Sequence, residues 1–111
     1  MTWHRVASLA EAERAHPWLA ADVAGVSVVL AQLDTRWYGV EDRCTHAGCP
    51  FSEEATLEAG TIDCHCHGSQ FDLTTGDVRR GPAERPVRAF PVRVSDGYVE
   101  IELGSGPSSW P

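Results

Sequence analysis

Hydrophobic and polar positions alternate over short stretches of this chain, and one stretch alone is spaced as a helix. In YVEIEL (98–103), Val99, Ile101 and Leu103 alternate with Tyr98, Glu100 and Glu102. That period of two predicts a strand with one buried and one wet face. VRAFPVRV (87–94) precedes it, and the intervening SDG (95–97) signals a hairpin. VSVVLAQLD (26–34) and RWYGVED (36–42) form a second predicted hairpin about Asp34-Thr35. QFDLTTGDVRR (70–80) reads as strand, Thr-Thr-Gly turn, strand, and TWHRV (2–6) as a short first strand. In SLAEAERAHP (8–17), Ser8 and Glu11 stand at capping-box spacing and Pro17 closes a helix of about two turns. SEEATLEAGTID (52–63) is a polar connector with Gly60 at a turn before a short strand, and GPAERP (81–86) is a proline-bounded loop. GSGPSSWP (104–111) has the composition of a flexible tail. The expected fold class is all-β, with an excursion between hairpins.

At 111 residues the chain is long enough for one domain with a modest core. Its net charge of −7 argues against nucleic acid as a partner, because phosphate binding wants a basic face. It suits a carrier that recognises other proteins through charge. The chain contains no lysine, so every basic side chain is arginine. The longest apolar run, VAGVSVVLA (23–31), is far short of the roughly 18 residues of a membrane helix. The first residues lack the apolar core of a signal peptide, and Arg79-Arg80 is internal. The expectation is a cytoplasmic monomer with no membrane partner.

The chemistry is concentrated in CTHAGC (44–49) and CHCHGS (64–69), which hold all four cysteines and three of the five histidines. In a cytoplasmic protein such cysteines read first as metal or redox ligands and second as a disulfide framework. A structural zinc on Cys44, His46, Cys64 and His67 leaves Cys49 and Cys66 without a reason. A catalytic thiol has no separate base assigned to it and matches no reactive-cysteine motif. A disulfide and an iron–sulfur cluster stay open on the residues alone. His4 and His16 stand apart and read as ordinary side chains.

C-x-H…C-x-x-H, here Cys44, His46, Cys64 and His67, resembles the ligand signature of Rieske proteins, in which a [2Fe–2S] cluster takes two thiolates on one iron and two imidazoles on the other. The resemblance reaches the preceding hairpin, Gly81-Pro82 and the closing strands. It implies a Rieske-type antiparallel β-sandwich over 1–103, with a small cluster-binding subdomain (about 43–85) inserted between strands and a tail from 104 to 111. It implies that Cys44 and Cys64 hold one iron, that His46 and His67 hold the outer one, and that Gly48, Gly68 and Pro82 shape the backbone over the sulfurs. The longer boxes of cytochrome bc-type proteins imply a disulfide between Cys49 and Cys66, with two reduced thiols as the alternative. Ser69 matches a serine that donates to a bridging sulfide there. Phe71 stands where those proteins carry a tyrosine donor, a departure toward the ferredoxin pattern. His65 replaces a usual proline and reads as a surface side chain.

The function so implied is one-electron transfer by a soluble Rieske-type ferredoxin, carrying one cluster and no substrate of its own. Its partners would be an NAD(P)H-dependent flavoprotein reductase and a terminal aromatic-ring-hydroxylating oxygenase. Rival readings are a redox subunit of an arsenite oxidase-like or respiratory complex, the small subunit of a nitrite reductase, and a zinc module. Glu53, Glu54, Arg79, Arg80 and Arg85 are candidates for steering a partner to the cluster tip.

Overall fold

A computed structural model describes residues 2–104; nearly all of the predicted tail, Trp110 included, lies outside the described residues. The strands form three antiparallel sheets. The first has the order β1-β11-β10, from Trp3–Ser8, Tyr98–Glu102 and Val92–Ser95. The second is β2-β3-β4-β9, from Leu19–Val23, Val26–Leu33, Arg36–Glu41 and Ala89–Phe90. The third is β5-β6-β7-β8, from Ala55–Glu58, Thr61–Cys64, Gln70–Asp72 and Val78–Arg80. Two short helices complete the chain, α1 (Leu9–Arg14) and α2 (Phe51–Glu54).

β3 explains its own unbroken apolar run. Val28 and Leu30 point into a core shared with Val99, Ile101 and Phe90, between the first two sheets. Val29 and Ala31 point the opposite way, into a core shared with Phe51, Ile62, Phe71 and the two free cysteines. A strand buried on both faces shows a continuous hydrophobic stretch instead of alternation. β3 is therefore the partition between the sandwich and the third sheet.

Ser8 caps α1 as its spacing predicts, its Oγ accepting from the Glu11 N–H at 3.1 Å. The helix stops at Arg14, before Pro17, and β1 runs on to Ser8. VRAFPVRV is two strands, because Pro91 has no N–H to donate to a ladder. Before it Phe90 pairs with Gly39 of the second sheet; after it Val92 pairs with Ile101 of the first. β2, α2 and β5 were not anticipated, the last two replacing the first half of the expected polar connector.

One face of β11 also departs from expectation. Glu100 and Glu102 are buried, each 6% exposed, because β11 is the central strand of its sheet. Glu100 accepts from Arg93 Nε at 2.8 Å and from Arg5 Nε at 3.4 Å. These arginines lie over the rings of Trp3 and Tyr98, so their stems cover the carboxylate. The Arg93 hydrogen bond is the main reason the Glu100 carboxyl titrates below its ordinary range.

In the third sheet Asp72 pins the turn between β7 and β8. It accepts from the Thr74 N–H and hydroxyl at 2.8 and 2.7 Å and from Arg79 at 2.7 Å. Partial burial opposes its ionisation, but these donors outweigh it and bring its pKa down to about 2. A carboxylate lowered in the folded state stabilises fully above its unfolded value of 3.8 and loses that contribution as pH falls toward about 2. With Arg79 half exposed, the increment is about 1 kcal/mol after allowing for solvent screening. Asp72→Asn should lower unfolding free energy by about that much at neutral pH, and the gap from wild type should close in acid. Urea titrations from pH 7 down to about pH 2.5 check this; a gap constant with pH would refute it.

Candidate metal centre

The two cysteine-bearing loops share one backbone frame. In the first, the Cys44 N–H donates to Cys49 C=O at 2.8 Å and the Gly48 N–H to Cys44 C=O at 2.7 Å. In the second, the Cys64 N–H donates to Ser69 C=O and the Gly68 N–H to Cys64 C=O, both at 2.9 Å. The glycine stands four residues after the cysteine in each loop, with φ of 77° and 86°. A side chain there would strain the left-handed backbone that closes the turn. So the glycine spacing CTHAG and CHCHG encodes one loop twice, following β4 and β6 respectively.

The loops face each other. Cys49 and Cys66 are joined by a disulfide between positions 17 apart in sequence. Cys44 and Cys64 are free and buried, 2% and 0% exposed, with Phe51 and Phe71 in the same core. Burial pushes the Cys64 thiol up in pKa, and the Cys44 sulfur hydrogen-bonded to it pushes the same way, against a backbone bond from Cys66. His46 and His67 are exposed, their ring centroids 4.7 Å apart and nearly perpendicular. The second loop thus brings one buried sulfur and one exposed imidazole opposite the same pair in the first.

Ser69 is fully buried, and its Oγ accepts the Ala83 N–H at 3.1 Å. That bond uses the oxygen; among the described residues the hydroxyl proton has no recorded acceptor. It remains available to a sulfur or sulfide. Pro82 precedes Ala83 in the third loop, after a cis Gly81–Pro82 peptide. The same loop is tied to the first by Thr45 Oγ1, which donates to Arg85 C=O at 2.6 Å. Phe71 is fully buried and packs edge-on against Phe51 at 5.5 Å.

His65 stays outside this arrangement. It is exposed, its N–H donates to Glu54 C=O, and its Nε2 lies 3.0 Å from Thr56 Oγ1. His4 lies in β1 and His16 follows α1, both away from the loops. Sequence reasoning missed Thr45 and the Asp42 carboxylate, which accepts from the Ser52 N–H and hydroxyl at the start of α2. Both contacts join positions ten or more apart, so no local pattern announces them.

A two-iron cluster fits this donor set. Among the described residues no three His, Cys, Asp or Glu side chains gather around a single metal position. A cluster needs pairs: two thiolates at one end and two imidazoles at the other. Here the thiols are inside, the imidazoles outside, and a buried hydroxyl is unspent beside them.

Comparison with known proteins points the same way. A family model of the Rieske [2Fe-2S] domain matches residues 2–91. The anthranilate 1,2-dioxygenase ferredoxin subunit of Burkholderia cepacia is 31% identical over 103 residues, covering 92% of this chain and 93% of that protein. A chain in the complex of reduced oxygenase and oxidized ferredoxin in carbazole 1,9a-dioxygenase superposes with a TM-score of 0.82 at 25% identity, covering 96% of this chain and 97% of that one. Cytochrome b6-f complex iron-sulfur subunit 2 of Trichormus variabilis is 40% identical over 72 residues, 65% of this chain but 35% of that protein.

Closing a loop of this length by a crosslink is worth about 3 kcal/mol on chain entropy. The double variant Cys49→Ser/Cys66→Ser should fold yet unfold at lower urea, by up to about that amount. A reductant should shift wild type to the same midpoint and leave the variant unmoved. Identical midpoints for all four samples would show that the crosslink contributes nothing.

Proposed function

The chain belongs to the Rieske [2Fe-2S] family, and from that premise we propose that it is the ferredoxin of an aromatic-ring-hydroxylating oxygenase system. It is an electron carrier and not a catalyst, and its cofactor is one Rieske-type [2Fe–2S] cluster. Electrons come from an NAD(P)H-dependent flavoprotein reductase and go to the terminal oxygenase. The carbazole dioxygenase complex of oxygenase and ferredoxin supports that destination. The observation that carries the reading is the pairing of two buried thiols with two exposed imidazoles across a pair of matched loops.

On this reading Cys44 and Cys64 would hold one iron of the cluster and His46 and His67 the other. The cluster supplies a site that gains or loses one electron. The protein's own residues do the rest. Phe51 and Phe71 exclude water beneath the sulfurs, and Ser69 offers its hydroxyl proton. The exposed imidazole end leaves an incoming partner a short path to the cluster. Residues 1–103 act as one domain whose cluster-binding part spans about 43–85. No helix among the described residues is long and apolar enough to cross a membrane, and we place the protein in the cytoplasm, beside its reductase.

A redox subunit of a cytochrome-type complex is the second reading. The Cys49–Cys66 disulfide and the 40% identity to the b6-f subunit favour it. The match to the ferredoxin subunit over 93% of its length weighs more.

Purified protein should hold two irons and two labile sulfides per chain and show a Rieske-type EPR signal when reduced; stoichiometric zinc with no cluster after anaerobic reconstitution would refute the reading. Cys44→Ala or Cys64→Ala should abolish assembly. His46→Cys or His67→Cys should lower the potential, because imidazole ligation is what raises it above that of all-cysteine clusters.

Ser69→Ala should also lower the potential, since hydrogen bonds to cluster sulfurs raise it. It should cost about 1–3 kcal/mol by stranding the buried Ala83 N–H. Voltammetry and urea unfolding read the two effects separately. An unchanged potential with reduced stability would confine Ser69 to its bond with Ala83.

A further inference from the structure

The nine arginines of this acidic protein differ in what holds them. Arg5, Arg79 and Arg93 each lie within 4 Å of a carboxylate. Arg88 lies over the Phe90 ring and donates to Leu103 C=O. Five are exposed and, among the described residues, form no ion pair: Arg14 on α1, Arg36 on β4, and Arg43, Arg80 and Arg85. The last three, Arg43, Arg80 and Arg85, stand beside His46 and His67. Arg80 Nε donates to Gly68 C=O at 3.4 Å, one residue from His67. The Arg85 backbone is held by Thr45, one residue from His46. The Arg43 guanidinium lies over Gly48, where a Cβ would sit 3.6 Å from its Nε. The nearby acids Glu53 and Glu54 are on α2, at the His65 side, where the His65 N–H bonds Glu54 C=O. Glu84, exposed beside Arg85, offsets part of the arginine charge.

We propose that Arg43, Arg80 and Arg85 form a docking rim for an electron partner that presents carboxylates around its own redox site. This rests on the electron-carrier reading and adds the sign of the partner's surface. Unpaired guanidiniums can take up carboxylates bidentately without first breaking an internal bridge. A positive rim on a body of net charge −7 also orients an incoming molecule, because overall repulsion turns it toward an attractive edge.

Small redox ions test the sign directly. The reduced protein gives one electron to trianionic hexacyanoferrate(III), which becomes hexacyanoferrate(II) with no proton transferred. If the rim governs approach, the second-order rate constant falls as salt rises from about 10 mM to 1 M, although both reactants are anionic overall. Arg43→Glu/Arg80→Glu/Arg85→Glu should cut that rate at least about tenfold at low salt and hardly at all at 1 M. Arg43→Gln/Arg85→Gln, which removes no side-chain hydrogen bond to the backbone, should give a smaller cut in the same direction. The remote pair Arg14→Glu/Arg36→Glu should change it by less than about threefold. Poly-L-aspartate, standing in for a carboxylate-rich face, should bind wild type in low-salt calorimetry and not the rim variant. A wild-type rate that climbs with salt, a remote pair as damaging as the rim, or poly-L-aspartate binding that survives rim reversal would each overturn the proposal. Protein that assembles no cluster would instead sink the electron-carrier reading, while the calorimetry still judges the rim.

Discussion

The Cys49–Cys66 disulfide sits between two loops that the chain reaches by different routes, one following β4 and the other following β6. Each loop alone brings one free cysteine and one of the two facing imidazoles. On the proposed assignment each iron draws one ligand from either loop, so neither iron can bind unless the loops stand face to face. The matched hydrogen bonds around Cys44 and Cys64 fix the shape of each loop, and the crosslink fixes their separation. The site is preorganised by both, which lowers the entropy that ligation must remove.

Burial decides which end of the site meets solvent. The thiols share a core with Phe51, Ile62 and Phe71, while the imidazoles project where no core covers them. Phe71 shows how this core competes with electronic tuning. A tyrosine there could offer a donor to a sulfur; the phenyl ring packs against Phe51 instead. Packing is kept and a hydrogen bond is forgone. Ser69 is not confined to one role, because a hydroxyl that accepts from Ala83 can still donate.

The two cores give the molecule a division of labour. Strand β3 belongs to both, through Val28 and Leu30 on one side and Val29 and Ala31 on the other. The sandwich can therefore anchor the third sheet without a linker. The arginines differ in the same way: Arg5 and Arg93 on the sandwich cover Glu100, while on the proposed assignment those by His46 and His67 are free to meet a partner.

The two cysteine boxes, their spacing and the resulting cofactor class were legible in the amino-acid sequence, because ligand chemistry depends on residue type and local spacing. So were the hairpins at Asp34-Thr35 and Asp96-Gly97, where residues with positive φ close the turns. The Ser8 cap was legible for the same reason: its bond spans three residues. Tertiary structure decided whatever depends on contacts between distant segments. The sequence alternation made Glu100 a wet residue; placing β11 between β1 and β10 buried it under Arg5 and Arg93. α2 and β5 were hidden in a polar stretch, and form because Asp42 holds Ser52 and β6 offers β5 an edge. Which arginines are neutralised and which stand free at the tip depends on distances of a few ångströms between residues far apart in the chain, and no local pattern records those.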